Sequence, residues 1–177
     1  MRPLDAEHAL RLIRRGDGAA LARAYAANRA HLAPWEPLRA DDFFTAERQE
    51  QGVEQSLVDV EAGRGYRFVI ESDDGEIRGR INLNNVVRGA FWSTDLGYWI
   101  DASRTRRGLA GRAVAAVVDF ASSELQLHRI QAATLVHNEA SQRVLSSAGF
   151  VQIGMAPQYL RIAGEWQDHL LFQRILV

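Results

Sequence analysis

The stretch SRTRRGLAGRAV, residues 103–114, carries four arginines and two glycines in a chain whose formal net charge is −1. It follows FWSTDLGYWID (residues 91–101), which reads as a strand. It precedes a run in which Val114, Val117, Val118, Ala121 and Leu125 recur at helical spacing. A strand, a glycine-containing loop and a helix therefore follow one another. The first turn of such a helix has N–H groups without intrahelical partners, and the helix dipole favours an anion beside them. Gly108, Ala110 and Gly111 are small enough to let a ligand approach the main chain, and Arg104, Arg106, Arg107 and Arg112 add positive charge. Read by itself, the loop is either a polyphosphate cradle or a solvated arginine-rich turn. It lacks Gly-Lys-Ser/Thr and does not spell G-x-G-x-x-G, so it is neither a Walker loop nor a dinucleotide fingerprint.

Outward from this loop, the chain alternates between strands and helices. Residues 8–15 read as a first strand. Residues 16–32 read as a helix with Leu21, Ala24, Tyr25, Asn28 and Leu32 on one face and Asp17 placed to cap it. APWEPL ends that pattern with two prolines, and a second helix begins at Thr45 with Val53, Leu57 and Val60 along one side. YRFVIE, the turn SDDG, EIRGRINLNNVV and the connection RGA lead into the strand before the loop. After the helix come a strand, HRIQAATLV, and a short helix, NEASQRVLSSAGF, with Asn138 as its cap and Gly149 at its end. FVQIGMAPQYL and DHLLFQRILV form a closing pair around a Gly-containing turn. The order predicts a single α/β domain over residues 1–177, with helices on both faces of a mixed sheet of about seven strands.

Composition narrows the classes of function. A chain of 177 residues with 47% hydrophobic and 24% charged residues is an ordinary globular domain. Near-zero net charge argues against general nucleic-acid binding, and no apolar run approaches bilayer-spanning length. The N-terminus lacks the apolar segment of a signal peptide, so the cytoplasm is the expected location. The chain has no cysteine, which excludes disulfides, thiolate metal sites and a cysteine nucleophile. The five histidines show no ligand spacing, so no metal is expected.

The chain resembles the GNAT N-acetyltransferases. The family loop reads Gln/Arg-x-x-Gly-x-Gly/Ala, and residues 105–110, TRRGLA, match it except that Thr105 stands at the first position. LGYWID, NEASQRVLSSAGF, NRAHLAPWEP and GEWQDHLLF further resemble the ribosomal-protein N-terminal acetyltransferase type, RimJ/RimL, in the same order along nearly the whole chain. The resemblance implies acetyl-coenzyme A as cosubstrate and a sheet that splays after the strand ending GYWID. It implies that the pantetheine arm lies in that gap along the main chain of Tyr98, Trp99 and Ile100. Arg106, Arg107, Gly108, Leu109, Ala110, Gly111 and Arg112 would hold the diphosphate, Asn138 would contact the arm, and Ser141 would help protonate the sulfur. From spacing alone, Asn138 and Ser141 share one helix turn and serve equally as cap and first-turn residue.

The acceptor follows from how readily an amine loses its proton. At pH 7 about 10% of an α-amine is neutral, whereas making lysine equally ready costs roughly 3 kcal/mol more. The candidate bases are Asp95, Glu165 and Asp168; Gln158, not an acid, precedes Tyr159, and Asp168 is expected to brace the closing hairpin. The leading expectation is direct acetyl transfer, in a ternary complex, to a peptide or protein N-terminal amine by a monomer or homodimer. The alternatives are a small-molecule amine (a polyamine or an antibiotic) and a non-catalytic acyl-CoA sensor. An acidic groove would favour a cationic small molecule, and an open groove a peptide. Trp35, Trp92, His137 and the segment HLAPWEP are candidates for the rim of the acceptor entrance.

Overall fold

A computed structural model describes residues 1–176. The chain runs through β1 (Arg2–Pro3), β2 (His8–Leu12), α1 (Gly18–Ala27), α2 (Arg29–Leu32), a 3-10 turn (Asp41–Phe44) and α3 (Ala46–Glu61). There follow β3 (Tyr66–Ser72), β4 (Ile77–Val87), β5 (Ser93–Ile100), a second 3-10 turn (Ala102–Arg104) and α4 (Leu109–Ser123). The remainder is β6 (Arg129–Leu135), α5 (Glu139–Ser147), β7 (Val151–Ile162) and β8 (Glu165–Ile175). Eight strands form one sheet in the order β1-β2-β3-β4-β5-β6-β8-β7. Among the described residues only β5 and β6 pair in parallel; α4 is their crossover, the connection a parallel pair requires.

β3 shows why both faces of the sheet are covered. Successive side chains of a strand point to opposite faces. Phe68 and Ile70 pack with Val114, Val117 and Leu145 from α4 and α5. Val69, between them, packs with Leu21, Tyr25 and Val53 from α1 and α3. Among the described residues, no helix is long and apolar enough to cross a membrane.

Several sequence expectations are corrected. The expected mixed sheet is borne out, and the two-residue β1, too short to carry a pattern, adds an eighth strand at its edge against Ala9 and Leu10. The helix expected over residues 16–32 breaks at Asn28. There the buried Asn28 amide donates to the Ala24 carbonyl at 2.9 Å and to Asp101 Oδ2 at 3.2 Å, and its Oδ1 accepts from Ala102 N–H at 2.8 Å. Asp17 stands at the N-cap of α1 without capping it. Its carboxylate binds Arg11 at 2.7 and 2.8 Å and accepts from Arg14 N–H at 2.8 Å. The cap comes from another helix: Glu50 of α3 accepts from Gly16 N–H and Gly18 N–H, both at 2.8 Å. The second helix does begin at Thr45, which caps α3 by accepting from Arg48 N–H at 3.2 Å.

The feature that positions the site lies at the centre of the sheet. β5 pairs with β4 along its length from Ser93 to Ile100. It pairs with β6 only from Ser93 to Leu96, opposite Arg129 to Ala132. Beyond Leu96 the strands part, as anticipated, and the β6-facing edge of β5 loses its ladder.

Candidate active site

The loop after β5 is fixed at its entrance. Asp101 Oδ1 accepts from Ser103 N–H at 2.8 Å and from Ser103 Oγ at 2.7 Å, while Asn28 holds the neighbouring amide. The main chain then passes twice through the left-handed region, at Arg106 (φ 61°) and Gly108 (φ 73°). Gly108 is the N-cap of α4 and has no side chain with which to occupy the first-turn amides. Leu109, Ala110 and Gly111 N–H have no protein acceptor among the described residues. A Cβ placed on Gly111 would meet nothing within 4 Å. The result is a bare, inward-turned row of donors at the positive end of a fifteen-residue helix, the kind of place that takes a phosphate group.

A cavity of about 340 Å³ opens from these amides toward the splay. It brings together Tyr98, Trp99, Ile100, Arg106, Gly108, Leu109, Ala110, Gly111, Asn138 and Ser141, residues that lie up to forty-three positions apart in sequence. Arg107 and Arg112 instead line a smaller hollow of about 230 Å³ on the outer side of the loop. Arg112 is engaged there, donating to Asp5 at 2.6 Å and to the Arg107 carbonyl at 3.1 Å. Burial opposes ionisation of Asp5, but hydrogen bonds from His8, Glu7 N–H and Arg112 hold it at about 2.

At the far end of the cavity, α5 presents its first turn. Asn138 Oδ1 accepts from Ser141 N–H at 3.1 Å, so Asn138 is an N-cap, and its side-chain N–H groups remain available. Ser141 Oγ lies 2.8 Å from the Tyr98 hydroxyl. Burial pushes the Tyr98 phenol up to about 12, against the hydrogen bond with Ser141, so it stays protonated at neutral pH. The sequence reading assigned Tyr98 only a main-chain role; its hydroxyl, 43 positions from Ser141, is a contact that only the fold creates.

Tyr98, Trp99, Asn138, Ser141 and Trp35 also line a second cavity, of about 590 Å³, so the two spaces meet at this cluster. The second cavity is charged in one sense. Arg39, Arg80 and Arg161 line it with a single carboxylate, Glu36. Burial raises the Glu36 pKa, opposed by Arg39, which lies 3.5 Å away, and by Arg80. Arg80 Nε, Asn82 Oδ1 and Thr134 Oγ1 are buried along this wall without a hydrogen-bond partner among the described residues. His169 reaches it from β8. None of Glu36, Arg39, Arg80, Arg161 and His169 was singled out from sequence, although Glu36 lies within the predicted lip, HLAPWEP.

The other candidates separate cleanly. Trp35 is on the rim, its ring tilted 36° to that of His137 with centroids 5.5 Å apart. Trp92 borders neither cavity; it sits in the β4–β5 connection beneath Arg88, whose guanidinium is 4.9 Å from its ring. Asp168 accepts from Gln158 N–H at 2.8 Å and so braces the β7–β8 hairpin, as read. Glu165 is exposed at the start of β8. Asp95 opens onto a different space, of about 550 Å³, and accepts from Asn85 at 2.9 Å.

Comparison with known proteins agrees with this geometry. The family model described as "Acetyltransferase (GNAT) domain" matches residues 2–151. The chain belongs to the GNAT acetyltransferases. Within that family it is 34% identical to the ribosomal protein uS5-alanine N-acetyltransferase of Escherichia coli K12, over 92% of this chain and 84% of that one. The crystal structure of the ribosomal-protein-S5-alanine acetyltransferase from Vibrio fischeri superposes with a TM-score of 0.92 at 35% identity, covering 97% of each chain. Mycobacterium smegmatis RimJ, solved with CoA-disulfide, superposes at 0.89 with 36% identity, over 95% of this chain and 81% of that one. This GNAT chain is thus an acyltransferase of RimJ/RimL kind, with the predicted α/β sheet and central splay.

Proposed function

We propose that the chain transfers acetyl from acetyl-coenzyme A to the N-terminal α-amine of a protein or peptide, by direct attack within a ternary complex. The observation that carries this reading is the meeting of two cavities at Tyr98, Asn138 and Ser141, one floored by free α4 amides and the other lined by guanidinium groups. The first suits the carrier: unpaired N–H groups and Arg106 for the diphosphate, an unladdered edge of β5 for the amide-rich arm. When bound, acetyl-coenzyme A supplies a thioester whose acetyl group passes to nitrogen while a thiol is released. Main-chain N–H on the open edge of β5 would polarise the thioester carbonyl. Ser141 Oγ, backed by the neutral Tyr98 hydroxyl, would deliver a proton to the departing sulfur.

The second cavity favours a peptide over a polyamine or an aminoglycoside. Three arginines against one carboxylate repel a multiply charged cation, while the orphaned Arg80, Asn82 and Thr134 atoms suit main-chain amides. The relatives named for an alanine of ribosomal protein uS5 support the same choice, since the α-amine is the only amine an alanine offers. The test is an amine panel with acetyl-coenzyme A, read as free thiol and by mass of the product. Turnover is expected with peptides of free N-terminus and not with their N-blocked, lysine-containing counterparts. Turnover confined to small amines would overturn the acceptor assignment, and tight binding without turnover across the panel would make the protein a sensor.

A further inference from the structure

The acceptor cavity contains one side chain whose free lone pair the fold itself assigns. His169 stands on β8 opposite Leu135 of β6 and Ala156 of β7, and is 3% exposed. Its Nδ1 lies 2.9 Å from the main-chain carbonyl of Gln167. A carbonyl oxygen only accepts, so Nδ1 carries a hydrogen and the neutral ring keeps its lone pair on Nε2. No other hydrogen bond engages the ring among the described residues. Tyr159 packs against it with centroids 5.7 Å apart and planes at 58°, which limits its rotation. His169 borders the same cavity as Thr134, Asn138 and Ser141.

We propose that His169 is the general base of the transfer, its Nε2 taking the proton that the acceptor's ammonium group must lose before it attacks. This assignment rests on the N-terminal acetyl-transfer reading above. The charged groups facing the same space are Glu36 and Arg39 from the connection after α2, Arg80 from β4 and Arg161 from β7. The arginines are permanent cations and accept no proton. Glu36 is the poorer candidate because its carboxylate faces the Arg39 guanidinium at 3.5 Å, which stabilises its ionised, proton-free form. The role left to Glu36 is to draw the ammonium group in. His169 then takes one proton and passes it to solvent. As the C–N bond forms and the C–S bond breaks, Ser141 Oγ gives its proton to the sulfur, and the second amine proton replaces it on Ser141 Oγ. The sum is one amide, one thiol and one proton.

The test has two parts. Nitrogen-15 NMR of the free protein is expected to show the neutral His169 ring protonated at Nδ1; protonation at Nε2 instead would overturn the assignment. Kinetically, His169→Gln should lower kcat for an α-amine peptide by about 10²–10⁴-fold, with acetyl-coenzyme A affinity and melting temperature retained. For a peptide beginning with an aminooxyacetyl group, whose nitrogen is already unprotonated, the loss should shrink to less than about tenfold. Equal losses with both acceptors would reduce His169 to a packing residue, and no loss with either would remove it from the reaction. Glu36→Gln should raise KM with little change in kcat; an acceptor-dependent loss in that variant rather than in His169→Gln would transfer the role to Glu36. If the unmodified protein acetylates no peptide, the acceptor reading fails separately. The variants are then compared on whichever amine it does acetylate, one ammonium and one pre-neutral form.

Discussion

Gly108 and Ser141 are the residues whose two proposed roles single changes can separate. Gly108 has φ 73°, where an L side chain costs about 1–2 kcal/mol, and a Cβ there would lie 3.0 Å from Arg112 Nη1. Gly108→Ala isolates that strain, whereas Gly108→Asp adds a negative charge beside the free α4 amides. Calorimetry is expected to show acetyl-coenzyme A binding weakened more by Asp than by Ala, by up to about thirtyfold, since a single charge at a helix start is worth up to about 2 kcal/mol. Equal losses would mean that the loop's charge does not matter. Ser141→Ala should leave that binding intact and lower kcat by up to about 10²–10⁴-fold, with Tyr98→Phe producing part of the same loss because Tyr98 acts through Ser141. The loop glycines and the N-cap position of Asn138 were legible because local spacing defines them, whereas the proposed roles of Asn138 and Ser141 came from the family resemblance. Tyr98 hydroxyl, Glu36 and His169 were not, because each acquires its role from a residue on another strand or helix.

Elements were legible where burial imposes a period, and illegible where a tertiary contact replaces a local one. α4 is the clear case: its apolar stripe at Val114, Val117, Val118 and Ala121 is buried as the spacing requires. α1 is the opposite case, since Glu50 supplies the cap that Asp17 was expected to give, leaving Asp17 to bind Arg11 between β2 and Glu71 of β3. The break at Asn28 has the same origin, because its amide serves Asp101 and Ala102 as well as its own helix. α5 tests the difference between local and distant roles. Asn138→Ala should cost about 1 kcal/mol of stability through the lost cap, whereas Asn138→Asp keeps an acceptor for Ser141 N–H and should melt near the unmodified protein. If the free amide of Asn138 also contacts the carrier arm, both variants should lose acetyl-coenzyme A affinity alike. A loss in Ala alone would limit Asn138 to capping.

At the scale of the whole molecule, stability and the acceptor site pull against each other with pH. Glu71 is held low by the hydrogen bond from Arg11. Asp101 is held low by Ser103 and Asn28 against an opposing burial, and Asp5 lies at about 2. A carboxyl group with a depressed folded pKa contributes stability that is complete above its unfolded value, about 3.9–4.3, and is lost as pH falls through the folded value. Acid denaturation should therefore develop between about pH 4 and pH 2, and Asp5→Asn should flatten that limb while lowering stability at neutral pH. Glu36 has the opposite sign. Burial raises its folded pKa against Arg39 and Arg80, so its ionised form costs stability at neutral pH, and the cost disappears as the group protonates. Glu36→Gln should accordingly melt higher than the unmodified protein at pH 7, with the difference closing as pH falls toward the unfolded carboxyl value. The same variant should bind the acceptor more weakly, since the cavity then holds Arg39, Arg80 and Arg161 with no carboxylate to receive an ammonium group. A Glu36→Gln protein that melts lower at pH 7 would mean that the Arg39 pairing outweighs burial, and that the carboxylate serves the fold rather than the acceptor.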